Sequence, residues 1–250
     1  MDSYIAWIGG KKLLRKEILK RFPSDKIDRY IEPFTGAGWV FFAKDKHAKM
    51  EVINDIDSNL INLYRCVKFH PEALQTELQY CMISREEFED CKAQISFRGL
   101  TDIQRAARYY LMIRASFGAD RRSFCVSSWN LPKSIEYLQE VSKRLQCAVI
   151  EHKDFENLIK CYDRQGALFY CDPPYYKTES YYDCDFSEKD HIRLRDILAS
   201  IKGKFLLTYN DCDFIRQLYS GFYIEGISRG NNLSSGQYKE IIIRNYNNDI

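Results

Sequence analysis

No stretch of this chain approaches the roughly eighteen consecutive apolar residues of a membrane-spanning helix, and its first residues carry neither the apolar core nor the cleavage site of an export signal. A cytoplasmic protein is expected, neither embedded in a membrane nor exported by the usual route. Nine cysteines are present, yet the closest in sequence, Cys81 with Cys91 and Cys161 with Cys171, stand ten apart. With no CxxC pair and no Cys/His cluster, no metal site is expected. Cysteines in strand-like runs such as Cys147-Ala148-Val149-Ile150 read as small buried hydrophobes in a reducing compartment. Excess charge is lacking too, since 37 Lys and Arg face 35 Asp and Glu. The overall balance therefore favours no polyanionic partner. Internal repeats, low-complexity tracts and endonuclease motifs are likewise missing.

What is present is local. Residues 98–144 carry nine Lys or Arg against four Asp or Glu, and residues 1–30 carry eight against four. At 250 residues the chain accommodates one α/β domain with an inserted module. Seven short apolar runs predict strands over Arg29–Glu32, Glu51–Asn54, Cys147–Glu151, Ala167–Cys171, Lys204–Thr208, Phe222–Ile227 and Glu240–Asn245. The helical periodicities between them are those of a largely parallel sheet with crossovers. Leu13, Leu14, Ile18 and Phe22 share one helical face, as do Leu60, Ile61, Tyr64 and Val67 behind the cap Asp57. Ser187 and Asp190 form a capping-box pattern ahead of a helix carrying Ile192, Ile197, Leu198 and Ile201. The alternation breaks between Leu60 and Gln146, where helical pattern dominates. That segment contains a helix from about Thr101 to Ser116, the basic-aromatic stretch Phe117–Phe124, and a helix opened by Pro132.

At the end of the first strand, Glu32-Pro33-Phe34-Thr35-Gly36-Ala37-Gly38 runs into a turn, after which Trp39-Val40-Phe41-Phe42 is expected to start a helix. Glycines at such a turn permit tight backbone and close ligand approach at the carboxyl edge of the sheet. The third glycine of a dinucleotide fingerprint is replaced by Phe41, which argues against a pyrophosphate on the helix terminus. Asp55, after the second strand, is placed to accept hydrogen bonds from the two ribose hydroxyls of an adenosine. Asp154-Phe155, after the third, offers an acceptor and an aromatic face for an adenine ring, or alternatively a cap followed by a core residue.

The fourth strand leads into Asp172-Pro173-Pro174-Tyr175. Two prolines stiffen the backbone and remove two N–H groups, so the Asp172 carboxylate and the Pro173 carbonyl become rigid acceptors beside an aromatic ring. An exocyclic amine conjugated with its ring is a poor nucleophile. Donating both hydrogens to such acceptors draws its lone pair out of the ring plane toward a methyl donor, a positioning and electrostatic effect. Tyr175 would stack on a base taken out of a duplex.

Together these residues resemble the Dam-like, or D12, class of N6-adenine DNA methyltransferases, over nearly the whole chain. Trp7-Ile8-Gly9-Gly10-Lys11 is similar to the family's opening motif, Glu32 to Gly38 to its cofactor loop, Asp55 to its ribose acid, Asp172 to Tyr175 to its catalytic tetrapeptide, and Lys239 to Tyr246 to its last strand. The resemblance implies a Rossmann-like methyltransferase fold, with a seven-stranded, mostly parallel sheet flanked by helices. Residues 1–60 and 147–250 would form the catalytic domain, and 61–146 an inserted, mainly helical target-recognition module. It implies S-adenosylmethionine as cofactor, leaving as S-adenosylhomocysteine. Trp7, Gly10, Lys11, Glu32, Phe34 and Gly36 would bind it, together with Gly38, Asp55, Asp154, Phe155 and Asp172. Asp172, Pro173 and Tyr175 would carry the chemistry, and Arg114, Arg121, Arg122 and Lys133 would meet DNA, the paired arginines at phosphates in preference to guanine edges. Expected partners are double-stranded DNA and a separate restriction endonuclease, with the chain a monomer or weak dimer in a bacterial or phage-infected cell. Ala6 stands where relatives that methylate GATC carry Lys, and Ala115–Phe124 lacks their Tyr-Asn-Gly pattern, which points away from a GATC target. The tetrapeptide recognises an amine more than a ring, so cytosine N4 and RNA adenine stay open as targets, and a non-catalytic nucleic-acid-binding module is the more distant alternative.

Overall fold

In the computed structural model, residues 1–125, 130–177, 186–230 and 237–247 are described. Seven strands form one sheet: β1 (Arg29–Glu32), β2 (Met50–Asn54), β3 (Ala148–Glu151), β4 (Ala167–Cys171), β5 (Lys204–Asn210), β6 (Tyr223–Gly230) and β7 (Gln237–Arg244), in the order β3-β2-β1-β4-β5-β7-β6. The first five run parallel, and β7 lies antiparallel between β5 and β6. All seven strands expected from the sequence are present, with ends shifted by up to three residues. The chain leaves β1 toward β2 on one side and later returns beside it as β4, so the crevice between their carboxyl ends is a topological switch point, where open α/β sheets hold ligands.

Strand residues alternate between two cores. Tyr30, Ile53, Leu168, Tyr170, Leu206 and Ile242 face one helical layer, and Ile31, Val52, Phe169, Leu207, Ile241 and Ile243 face the other. The first layer comprises α1 (Arg15–Lys20), α2 (Ser58–Phe69), α3 (Pro71–Gln79), α5 (Asp102–Arg114) and α6 (Leu131–Leu145). The second comprises α7 (Phe155–Tyr162), α8 (Glu188–Ser200) and α9 (Asp213–Leu218). A satellite cluster of Phe88, Cys91, Leu111 and Met112 fixes α4 (Arg85–Gln94) onto α5. Residues 61–146, of which 126–129 lie outside the described residues, thus share their apolar core with the sheet through α2, α3, α5 and α6.

Helix ends follow the sequence signals. Asp57 accepts from the N–H groups of Asn59 and Leu60, Thr101 and Gln104 close a capping box on α5, and Ser187 with Asp190 close another on α8. The grouping of Leu13 with the apolar face of the first helix is corrected, for Leu13 is 56% exposed. That helix begins only at Arg15, so Leu13 precedes its periodicity, and α8 buries His191, Leu194 and Leu198. The helix expected from Trp39 is also corrected, to a single 3-10 turn at Phe41–Ala43. Phe41 and Phe42 are both fully buried in this turn. That turn is pinned from beyond by Arg144, whose guanidinium donates to the carbonyls of Lys44 and Phe41 and pairs bidentately with buried Glu51 at 2.8 Å on both arms.

Candidate active site

A cavity of about 390 Å³ opens at the carboxyl ends of β1, β2 and β4, within the range of small-ligand sites. Every residue that sequence reasoning assigned to cofactor binding lines it: Trp7, Gly10, Lys11, Glu32, Phe34 and Gly36, with Gly38, Asp55, Asp154, Phe155 and Asp172. Aromatic packing dictates the glycines. Gly36 has φ +50°, and a Cβ there would stand 2.8 Å from Trp7 Cδ1; Gly38, at φ +66°, would meet the Tyr64 hydroxyl at 3.0 Å. Tyr64 in turn donates to the Gly36 carbonyl at 2.9 Å, so the loop closes onto α2 without space for side chains.

Acidic groups ring the cavity in graded environments. Asp55 accepts from the backbone N–H of Gly36 at 2.9 Å and of Asp57 at 3.0 Å. Burial pushes its carboxyl up to about 6 against those hydrogen bonds. Glu32, at the end of β1, is pushed up to about 8 by burial, although the Tyr30 hydroxyl donates to it at 2.5 Å and so favours the anion. Asp154 is the helix cap that its sequence allowed. One oxygen caps α7 through the N–H groups of Glu156 and Asn157, the other pairs with Arg193 at 2.7 Å, and the residue still borders the cavity. Phe155 packs in the second core, its ring 5.4 Å from that of Phe34 and 5.8 Å from that of Phe186. These three rings and the half-exposed Ile56 form an apolar slot suited to a flat heterocycle.

Asp172 ends β4 in a network. Its Oδ1 lies 2.9 Å from Lys11 Nζ and accepts from the Thr208 hydroxyl of β5 at 2.7 Å. Among the described residues no donor reaches Oδ2. Burial raises the Asp172 carboxyl above its ordinary value, and Lys11 opposes that rise. Lys11 also donates to the Gly9 carbonyl at 2.6 Å and lies 3.9 Å from Glu240 of β7. Of the remaining tetrapeptide, Pro174 borders the cavity while Pro173 and Tyr175 are buried outside its lining. The Tyr175 hydroxyl donates to Glu240 at 2.7 Å, and Lys11 Nζ sits 4.8 Å from its ring centroid. A base stacking on Tyr175 must therefore take the other face of the ring or displace that ammonium.

The four basic residues expected at DNA divide. Arg122 and Lys133 are exposed, and Arg114 and Lys133 line one open groove with Asn130, Ser134 and Tyr137. Arg121 is corrected from an outward-facing contact: it is 6% exposed, lines this cavity, and holds its guanidinium 4.7 Å from the Trp7 ring. Its φ of +58° turns the side chain inward where an extended backbone would present it to solvent. Sequence reasoning passed over Phe186, Ile56, Thr208 and Glu240. Only Glu240 carried a visible signal, as an acid leading directly into the apolar run of a buried strand.

Among the described residues no group of His, Cys, Asp or Glu is arranged to hold a metal ion, and no helix is long and apolar enough to cross a membrane. A family model described as D12 class N6 adenine-specific DNA methyltransferase matches residues 7–233. A type II methyltransferase of Lactococcus lactis subsp. cremoris is 30% identical, over 99% of this chain and 96% of that one. A type II methyltransferase of Methanocaldococcus jannaschii is 27% identical, over 98% and 99% of the two chains, and a DNA adenine methylase of Haemophilus influenzae is 24% identical over 96% and 91%. Among solved structures, an rRNA methyltransferase of Streptomyces viridochromogenes is similar at a TM-score of 0.40 and 13% identity, over 92% of this chain and 83% of that one. At that distance the strand order itself, and not the neighbour, describes the fold.

Proposed function

The chain belongs to the D12 class of N6 adenine-specific DNA methyltransferases, and on that premise we propose that it transfers the methyl group of S-adenosylmethionine to an adenine extruded from double-stranded DNA. The cavity suits that donor. The slot of Phe34, Phe155 and Phe186 takes an adenine ring, Asp55 takes the ribose hydroxyls, and Asp172 borders the far side. When bound there, the donor supplies an electrophilic sulfonium methyl.

The observation that carries the proposal is the asymmetry of Asp172. Lys11 and Thr208 both engage Oδ1, fixing the carboxylate's orientation and leaving Oδ2 without a protein donor among the described residues. Oδ2 then accepts one hydrogen of the adenine amine while the Pro173 carbonyl accepts the other, which localises the nitrogen lone pair for attack. Preorganised acceptors of this kind cost no reorganisation at the moment of reaction. Burial raises the Asp172 carboxyl, and Lys11 opposes that rise and so favours the ionised, accepting form. Residues 61–146 read the target, with Arg122 on the exposed loop and Arg114 and Lys133 in their shared groove meeting phosphates. We assign the protein to the cytoplasm, acting as a monomer or weak dimer, with any restriction endonuclease a separate chain.

The test is Asp172→Ala. Calorimetry should show S-adenosylmethionine binding retained, while labelled methyl incorporation into duplex DNA is abolished. Nucleoside analysis of wild-type product should show N6-methyladenine. Full incorporation by the variant, or N4-methylcytosine as the sole product, would overturn the proposal.

A further inference from the structure

Arg193 of α8 holds three carboxylates at once. Its Nε donates to Glu156 at 3.0 Å, one terminal nitrogen to Asp190 at 2.7 Å and the other to Asp154 at 2.7 Å. The guanidinium carbon lies 4.6 Å from the centre of the Phe155 ring. The three acids come from two elements: Asp154 caps α7 and Glu156 lies in its first turn, whereas Asp190 closes the capping box of α8. Each is also engaged elsewhere. Asp154 Oδ1 accepts from the N–H groups of Glu156 and Asn157, Asp190 Oδ2 from the N–H and hydroxyl of Ser187, and Glu156 Oε1 from Lys160. One guanidinium therefore joins the start of α7 to the start of α8.

Stability alone does not account for this cluster. The arginine side chain is 41% exposed, and ion pairs at such exposure contribute little to folding. What its partners share is the cavity, which Asp154, Phe155 and Asp190 all line beside Phe186. We infer that Arg193 is a positioning residue for the methyl donor. Its planar fork holds the Asp154 carboxylate at the edge of the slot of Phe34, Phe155 and Phe186, so that Oδ2 accepts the exocyclic amine of the donor's adenine. The inference rests on the donor site proposed above. A carboxylate oxygen accepts at two lone-pair positions, so the bond from Arg193 leaves Oδ2 room for a second donor. An adenine lying flat in the slot presents its amine at its edge, and an amine hydrogen is what a carboxylate matches. Arg193 acts through Asp154 and touches no reacting atom. Without the guanidinium, Asp154, Glu156 and Asp190 repel one another, and Asp154 loses the contact that aims its outer oxygen. A lysine would supply the charge without the fork, and so would restore attraction but not direction.

The experiment compares S-adenosylhomocysteine with its 6-deamino analogue, in which hydrogen replaces the adenine amine. Calorimetry on wild type should show the amine-bearing ligand bound about tenfold more tightly, the range of one hydrogen bond to a charged acceptor. In Arg193→Gln that preference should shrink to about twofold or less, the coupling expected when residue and ligand group act through one contact. Arg193→Lys should keep more of the preference than Arg193→Gln, and it decides the matter alone if Arg193→Gln does not fold. A preference kept at about tenfold in both variants, whether or not both ligands weaken together, would reduce Arg193 to a brace between α7 and α8. A wild type without any preference would remove the amine from Asp154. Either outcome overturns the inference while leaving the donor site standing. A wild-type protein that binds neither ligand overturns the donor site itself, and this inference with it.

Discussion

Lys11 Nζ and Asp172 Oδ1 stand 2.9 Å apart in a setting where the lysine side chain is 4% exposed and the carboxylate 19%. Burial alone drives Asp172 toward its neutral form, and the ammonium opposes it. The pair joins the start of the chain to the end of β4, so the opening motif acts as the electrostatic partner of the tetrapeptide.

Removing that ammonium should move the pH dependence of methyl transfer. An adjacent opposite charge lowers a carboxyl. In Lys11→Gln, assayed at saturating donor, Asp172 titrates higher than in wild type, so the acidic limb of the rate profile should shift upward. A pH–rate series on both proteins checks this. A limb that stays in place would mean that another group controls it.

Donor affinity should carry its own pH signature through Asp55. Its carboxyl sits at about 6, and hydrogen bonds from ribose hydroxyls favour the ionised form. Binding should be constant well above that value and weaken as the pH falls through it, approaching tenfold per unit. Asp55→Asn should bind less tightly at neutral pH and lack the inflection. Calorimetric titrations of S-adenosylhomocysteine from pH 5 to pH 8 make the comparison.

Much of this site was legible because its residues sit where strands end. Glu32, Asp55, Asp154 and Asp172 each lie at or just past the carboxyl end of a strand, and strand ends are visible as the close of an apolar run. What stayed hidden depends on tertiary contact. The inward turn of Arg121 follows from a positive φ that no local pattern announces, and Tyr175 is covered by Lys11 and anchored by Glu240, one near each end of the chain. Leu13 was misplaced because periodicity names a face without naming the residue at which it begins. The single turn at Phe41–Ala43 is held by Arg144 and Glu51, which lie far along the chain and leave no local mark in its sequence.

Gly36→Ala should be costly where most surface glycines are tolerant. The new methyl group must accept φ +50° and approach Trp7 Cδ1 to 2.8 Å, displacing one wall of the donor cavity. Donor affinity should fall because the Trp7 wall must move, and the left-handed backbone should separately cost roughly 1–2 kcal/mol in urea unfolding. Gly221→Ala, with no heavy atom within 4 Å of the added carbon, serves as the matched control and should bind normally.

The Glu51–Arg144 pair anchors the 3-10 turn from outside the site. Arg144→Met strands a buried carboxylate and removes two donors to backbone carbonyls, so urea unfolding should show a loss of about 3–5 kcal/mol. Adding Glu51→Gln should restore a substantial part, because the stranded charge is gone. A double variant no more stable than the single would locate the loss in the carbonyl contacts instead.

The seventh strand in chain order is wedged between the two before it, and it delivers Glu240 beside Tyr175 and Lys11. Without that strand, Asp172 keeps Lys11 and Thr208, but the Tyr175 hydroxyl loses the carboxylate that receives it, so the outer half of the tetrapeptide depends on a segment 65 residues downstream.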